Sequence, residues 1–212
     1  MAVRLRMHPR YALVTGGILG TNRLEAFSDG VLAIIITIMV LELKVPHGDT
    51  LDAIVPLIPG VLSYLLSFLY VGIYWNNHHH MLHTAKRVSG AVLWTNLHLL
   101  FWLSLLPFAT GWMGENHFAP VPSALYGAVL LCAAVAYWLL QHAIIVTQGP
   151  GSILRRAIGK DWKGLSSPVV YGVAIALTTV KPWMAQALYL AVALVWLVPD
   201  RRIERALADG AT

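Results

Sequence analysis

Arg23-Leu24-Glu25-Ala26-Phe27-Ser28-Asp29-Gly30-Val31-Leu32-Ala33-Ile34-Ile35-Ile36-Thr37-Ile38-Met39-Val40-Leu41-Glu42-Leu43 joins a cluster of charged side chains to a long apolar run. Between residues 31 and 41 the only polar side chain is Thr37, whereas Arg23, Glu25, Ser28 and Asp29 crowd the preceding turns. The pattern predicts a helix over residues 27–43 with a charged foot and an apolar shaft, ended by Pro46, His47 and Gly48. Charges at a membrane boundary are costly unless paired, so an ionisable cluster there marks a candidate functional site.

The rest of the chain puts that helix in a bilayer. Of 212 residues, 58% are apolar and 12% charged, against about 25% charged in an average soluble domain, and the mean hydropathy is +0.66. A membrane-spanning helix needs about 20 mostly apolar residues. Five further spans are predicted, over residues 51–75, 91–112, 121–146, 165–180 and 183–198. Lysine and arginine concentrate in cytoplasmic loops. With six spans and both termini cytoplasmic, all 15 of these residues except Lys44 and Lys181 fall on the cytoplasmic side; five spans would strand Arg201, Arg202 and Arg205 outside. The expectation is an all-α, multi-pass protein of the cell membrane. Its six-helix domain covers residues 23–199, between a cytoplasmic amino-terminal segment, 1–22, and a cytoplasmic tail, 200–212.

The net charge of +5 therefore reads as topology, and no nucleic-acid partner is expected. Cys132 is the only cysteine, which excludes an intrachain disulfide. Gly127, Ala128, Ala133, Ala134 and Ala136 permit close helix contact, either within the subunit or between copies.

Ile34, Thr37, Ile38 and Leu41 recur at helical spacing and share one stripe. Spacing alone leaves open whether that stripe faces lipid, a core or a pore. At the foot, Ser28 and Asp29 either cap the start of the helix or form a polar latch to other helices, and Arg23 and Asp29 need partners elsewhere in the chain. Candidates at the same level are Trp75, Asn76, Asn77, His78, His79, His80 and His83, together with Trp94, Asn96 and His98. His79 and His83, at i and i+4, would bind a metal from one helix face, but no Cys, Asp or Glu stands near them in sequence, and no metal is expected. Asp29 and Glu42, the paired-carboxylate candidates, are separated by about 20 Å at 1.5 Å per residue. Without a phosphate loop, a His-Glu-x-x-His motif or a nucleophile elbow, an enzyme is not expected.

Arg23-x-x-x-Phe27-Ser28-Asp29, the following Gly-Val-x-Ala-Ile-x-Ile-Thr37 and Leu41-Glu42-Leu43 resemble the first helix of the transmembrane protein 175 family of potassium channels. Tyr74-Trp75-x-x-His78 and Ser104-Leu-Leu-Pro107-Phe108 resemble that family's second and third helices. The resemblance implies a homotetramer in the lipid bilayer, with its first helices around a central pathway for permeant monovalent cations. No filter loop of the Thr-Val-Gly-Tyr-Gly kind is present. It further implies that Ile34 forms the narrowest ring of a hydrophobic gate, with Ile38 and Leu41 as further rings and Thr37 as the layer linked to potassium preference. Arg23, Phe27, Ser28 and Asp29, with His78 and His98, become a structural polar network, although the choice among His78, His79 and His80 stays open. Glu42 becomes either an outer acidic rim or a carboxylate paired with Lys44 or exposed. No cofactor is implied, and potassium enters only as the permeant species. Two rival functions remain: a proton-coupled transporter relaying through His78, His98 or Asp29, and a non-conducting membrane subunit whose stripe faces lipid or a partner.

Overall fold

The computed structural model describes residues 9–159 and 161–197, with side chains from residue 20 onward. The expected tail 200–212 and the side chains of most of the segment 1–22 lie outside the described residues. Among those described, every regular element is a helix.

Helix α1 runs from Pro9–Leu41, starting well before residue 27. Gly16 and Gly17 do not interrupt it, since a helix-interior glycine costs only about 1 kcal/mol. Two 3-10 turns, Leu51–Ala53 and Val55–Leu57, precede α2, Ile58–His83. Pro56 and Pro59 remove N–H donors at the point where the expected second span begins, and the regular helix forms only after the first of them. At its other end α2 continues past Trp75 and takes in all three consecutive histidines. Polar side chains do not end a helix whose backbone groups satisfy one another.

The third span divides into α3, Gly90–Ser104, and α4, Leu106–Glu115, with Pro107 in the first turn of α4. Helix α5, Pro120–Gln148, is followed by short α6, Ile153–Ile158, then α7, Trp162–Leu177, and α8, Pro182–Leu197. The Asp161 carboxylate caps α7 by accepting the Gly164 N–H at 2.9 Å. Among the described residues, four stretches are long and apolar enough to cross a bilayer: Gly20–Leu41, Leu51–His83, Gly90–Glu115 and Pro120–Gly151. Helices α7 and α8 have 16 residues each and reach about 24 Å, less than a hydrocarbon core of about 30 Å.

Helix α5 is the hub, packed against α3, α4 and α7, while α8 leans on α7 and α2. Helix α1 lies at the edge against α2, α3 and α4. The hub is tied by hydroxyl groups whose partners are other helices. Ser67 of α2 bonds the Thr110 hydroxyl of α4 at 2.6 Å and donates to Tyr126 of α5 at 3.1 Å. Tyr70 of α2 donates to the Tyr189 carbonyl of α8 at 2.6 Å, and the Tyr189 hydroxyl donates to the Ser123 carbonyl of α5 at 3.1 Å. In a bilayer, where lipid is as apolar as leucine, such bonds and close packing hold helices together. The small residues of α5 serve the same hub: Ala133 and Ala136 are buried within the subunit, and a Cβ at Gly127 would collide with the Tyr189 hydroxyl. Gly127→Ala is therefore expected to destabilise the detergent-solubilised protein by about 1–3 kcal/mol, the usual cost of overpacking, seen as a lowered melting temperature. An unchanged melting temperature would remove Gly127 from the account of the hub.

Candidate functional site

Helix α1 has two faces. Leu24, Ser28, Leu32, Ile35 and Met39 recur every three or four residues and are buried against the subunit. On the opposite side Phe27, Ile34, Thr37, Ile38 and Leu41 are exposed. Adjacent positions show the contrast: Ile35 is 2% exposed and Ile34 59%. The apolar stripe expected from the sequence is thus the face of α1 that its own subunit leaves bare. Thr37 interrupts it. Its hydroxyl donates to the Ala33 carbonyl at 2.8 Å, so the proton is directed into the helix and the oxygen lone pairs stay free on the bare side.

The charged foot divides between the two faces. Ser28 sits mid-helix, not at an N-cap: its Oγ donates to the Leu24 carbonyl at 2.8 Å and accepts Asn96 Nδ2–H of α3 at 3.0 Å. Asn96 Oδ1 faces His78 Nε2 of α2 at 2.7 Å. Because the amide nitrogen of Asn96 is committed to Ser28, its oxygen is the acceptor and the His78 Nε2–H the donor. All three side chains are buried. Donation therefore runs His78 to Asn96 to Ser28 to the Leu24 carbonyl, joining α2, α3 and α1. Beside it, Trp75 Nε1 donates to Asp29 Oδ1 at 3.0 Å, and Glu25 Oε1 meets His79 Nδ1 at 2.7 Å.

Of the three consecutive histidines, His78 is the one bonded to Asn96. Three other expected members stand apart. Arg23 and Phe27 are exposed on the bare side of α1, and Arg23 makes no ion pair among the described residues. His98 is exposed and accepts the Trp102 indole N–H at 2.9 Å, one turn along its own helix, so it takes no part in the contact between α1, α2 and α3. At the far end of α1, the Glu42 carboxylate lies close to Gly111 of α4 on the wall of an open cleft of about 620 Å³. Lys44 pairs with Glu115 at 2.8 Å instead of with Glu42, an exposed bridge of little energetic weight.

Asn96 and Glu25 are the residues whose parts were not assigned from sequence. Asn96 carried a signal, since an amide inside a leucine-rich span is expensive unless it is bonded. Glu25 was visible as part of the charged foot, but its partners His79 and His83 were not, because they are more than fifty positions away.

A helical membrane protein whose first helix is pinned by buried polar bonds on one side and bare along an apolar stripe on the other is the class this geometry defines. A family model described as endosomal/lysosomal potassium channel TMEM175 matches residues 23–107, from the foot of α1 to the proline of α4. A potassium channel of Chryseobacterium sp. (strain P1-3) is 54% identical over 189 residues, covering 89% of this chain and 98% of its own. A potassium channel of Chamaesiphon minutus is 32% identical over 179 residues, covering 78% and 87%. The crystal structure of a lysosomal potassium-selective channel TMEM175 homolog from the same organism superimposes with a TM-score of 0.76 at 29% identity, covering 85% of this chain and 98% of that one. The chain belongs to the TMEM175 family, which is a family of channels and not of enzymes.

Proposed function

We propose that the chain is a potassium-preferring cation channel, a homotetramer of six-span subunits in which the bare faces of four α1 helices surround the pathway. The observation that carries this reading is the coincidence of two features on one helix. The stripe of Ile34, Thr37, Ile38 and Leu41 is unpacked within the subunit, while the opposite face is tied to α2 and α3 through Ser28, Asn96 and His78. A stripe held so rigidly and left so bare suits an axis of symmetry. The names of the bacterial relatives as potassium channels support the permeant ion. In this arrangement α7 and α8, each 16 residues long, complete six spans by thinning the bilayer locally around them, both termini face the cytoplasm of a cell membrane, and Arg23 and Phe27 are available to a neighbouring copy.

Four Ile34 side chains close a throat that sheds water, and a cation entering without its hydration shell meets a prohibitive cost until the throat widens or wets. Thr37 follows one turn on. Four outward hydroxyl oxygens there offer partial negative charge to an ion losing water, which favours weakly hydrated potassium over sodium. Without a carbonyl cage the preference is modest. Thr37→Val keeps the shape and removes the oxygen. It is expected to leave flux measurable and to lower the potassium-to-sodium permeability ratio toward one, read from bi-ionic reversal potentials. An unchanged ratio would release Thr37 from the selectivity role.

The donor sequence at the foot supports a latch over a proton relay, because it ends on a backbone carbonyl and contains no carboxylate to receive a proton. Potassium flux into liposomes of purified protein tests the proposal: concentration-driven flux that needs no pH gradient supports it, and uptake that requires one favours the transporter.

A further inference from the structure

We propose that Glu25 of α1 with His79 and His83 of α2 forms a binding site for one divalent transition-metal ion of the zinc class per subunit, clamping the foot of the first helix to the second. The expectation that no acid stands near the two histidines is corrected by the fold, which brings Glu25 to them across the helix pair. His79 Nδ1 lies 2.7 Å and His83 Nε2 3.7 Å from the same oxygen, Glu25 Oε1, and the three donor atoms lie within 4.8 Å of one another. Ions of this class bind imidazole nitrogen and carboxylate oxygen at about 2.0–2.2 Å, which for tetrahedral angles sets donor atoms roughly 3.4 Å apart. Modest side-chain rotation reaches that spacing.

Several features favour a cation over a plain hydrogen bond. Both rings converge on one carboxylate oxygen, and they pack edge to face at 4.3 Å between centroids, so their donor nitrogens already point to a common space. Trp75 stacks on His79 at 6.2 Å and walls one side, while the exposure of His79 and His83 keeps the other open to an arriving ion. Two imidazoles and a carboxylate form a ligand set suited to zinc, copper or nickel in preference to calcium or magnesium. Three protein ligands leave a position for water. Glu25 is nine positions from Ile34, half a turn out of phase at 100° per residue. The ion would therefore sit on the side of α1 away from the stripe, fixing the helix without occupying the pathway. The consequence for conduction rests on the channel reading above: with the ion bound, the foot is held and flux falls.

Cobalt(II) serves as the probe in titrations of the full-length, tag-free protein. The expected result is one ion per subunit, with the intense visible bands of four-coordinate cobalt, displaced stoichiometrically by zinc. Affinity is expected to fall about tenfold or more in Glu25→Gln, His79→Gln and His83→Gln, and to persist in His142→Ala, whose ring stacks on Trp138 elsewhere on α5. Zinc is also expected to raise the melting temperature of the wild type and not of the three variants. The wild-type titration alone keeps the proposal falsifiable if a variant fails to fold. Absence of cobalt binding below millimolar concentration, or binding undiminished in all three variants, would overturn the site. Neither readout requires ion conduction, so failure of the metal site is distinguishable from failure of the channel.

Discussion

Ile34→Asn is expected to raise resting potassium flux through liposome-reconstituted protein by roughly tenfold or more. The change replaces four apolar side chains at the proposed throat with four amides that hold water. Each 1.4 kcal/mol removed from the barrier is a factor of ten in rate, and transfer of even one amide from water to an apolar medium is worth several kcal/mol. Hydrating the ring lowers the cost of entry, and the loss of the apolar contacts that close the throat acts in the same direction. Thr37 stays in place, so part of the potassium preference is expected to survive. The control is Ile35→Asn: its side chain is buried within the subunit, and it is expected to impair assembly instead of opening the pathway. If Ile34→Asn leaves flux unchanged, the stripe is not the pathway, and a lipid-facing or partner-facing role takes its place.

The second large effect is expected at Asn96. Asn96→Leu removes two buried bonds, leaving the His78 Nε2–H without its acceptor and Ser28 Oγ without its donor. A buried donor deprived of its partner costs about 1–3 kcal/mol, and here the loss falls where three helices meet. Ser28→Ala is expected to cost less, since it removes one interhelical bond and leaves Asn96 paired with His78. His98→Ala is expected to change stability little, because His98 is exposed and, among the described residues, bonds only Trp102, on its own helix. Melting temperatures of the three variants in one detergent give the order directly. Equal losses at Asn96 and His98 would contradict the latch.

The helical class and the stripe on α1 were legible in the sequence because they are local: a run of apolar residues and a period of 3.6 contain the information themselves. Of the six spans read from the sequence, the first four correspond to stretches long and apolar enough to cross a bilayer, and the last two to the 16-residue helices α7 and α8. The boundaries were less so. The polar run from Asn76 to His80 reads as a span's end, yet it stays helical because helix continuity is set by the backbone. Pro56 and Pro59 fall inside an apolar run, yet the regular helix starts only at Ile58, with Pro59 in its first turn. The foot was legible as a cluster and not as a circuit. Which of Arg23, Ser28 and Asp29 turned inward depended on which arc of α1 the neighbouring helices cover, and that is a property of packing. Hence Arg23 and Phe27 fall on the bare side while Ser28 and Asp29 find Asn96 and Trp75. His98 was grouped with the foot by its level on the third span, but level along a helix does not specify direction around it. Two positions separate it from Asn96, about 200° of rotation.

Whether the bare face of α1 meets its own copies around a conducting axis is tested by a single-particle map of the purified protein in a lipid nanodisc. The expected map has four subunits about one axis with Ile34, Thr37, Ile38 and Leu41 of every copy pointing toward it, and the Ser28, Asn96 and His78 contact behind them. A map with α1 at the lipid boundary, or with Ile34 turned away from the symmetry axis, would contradict it.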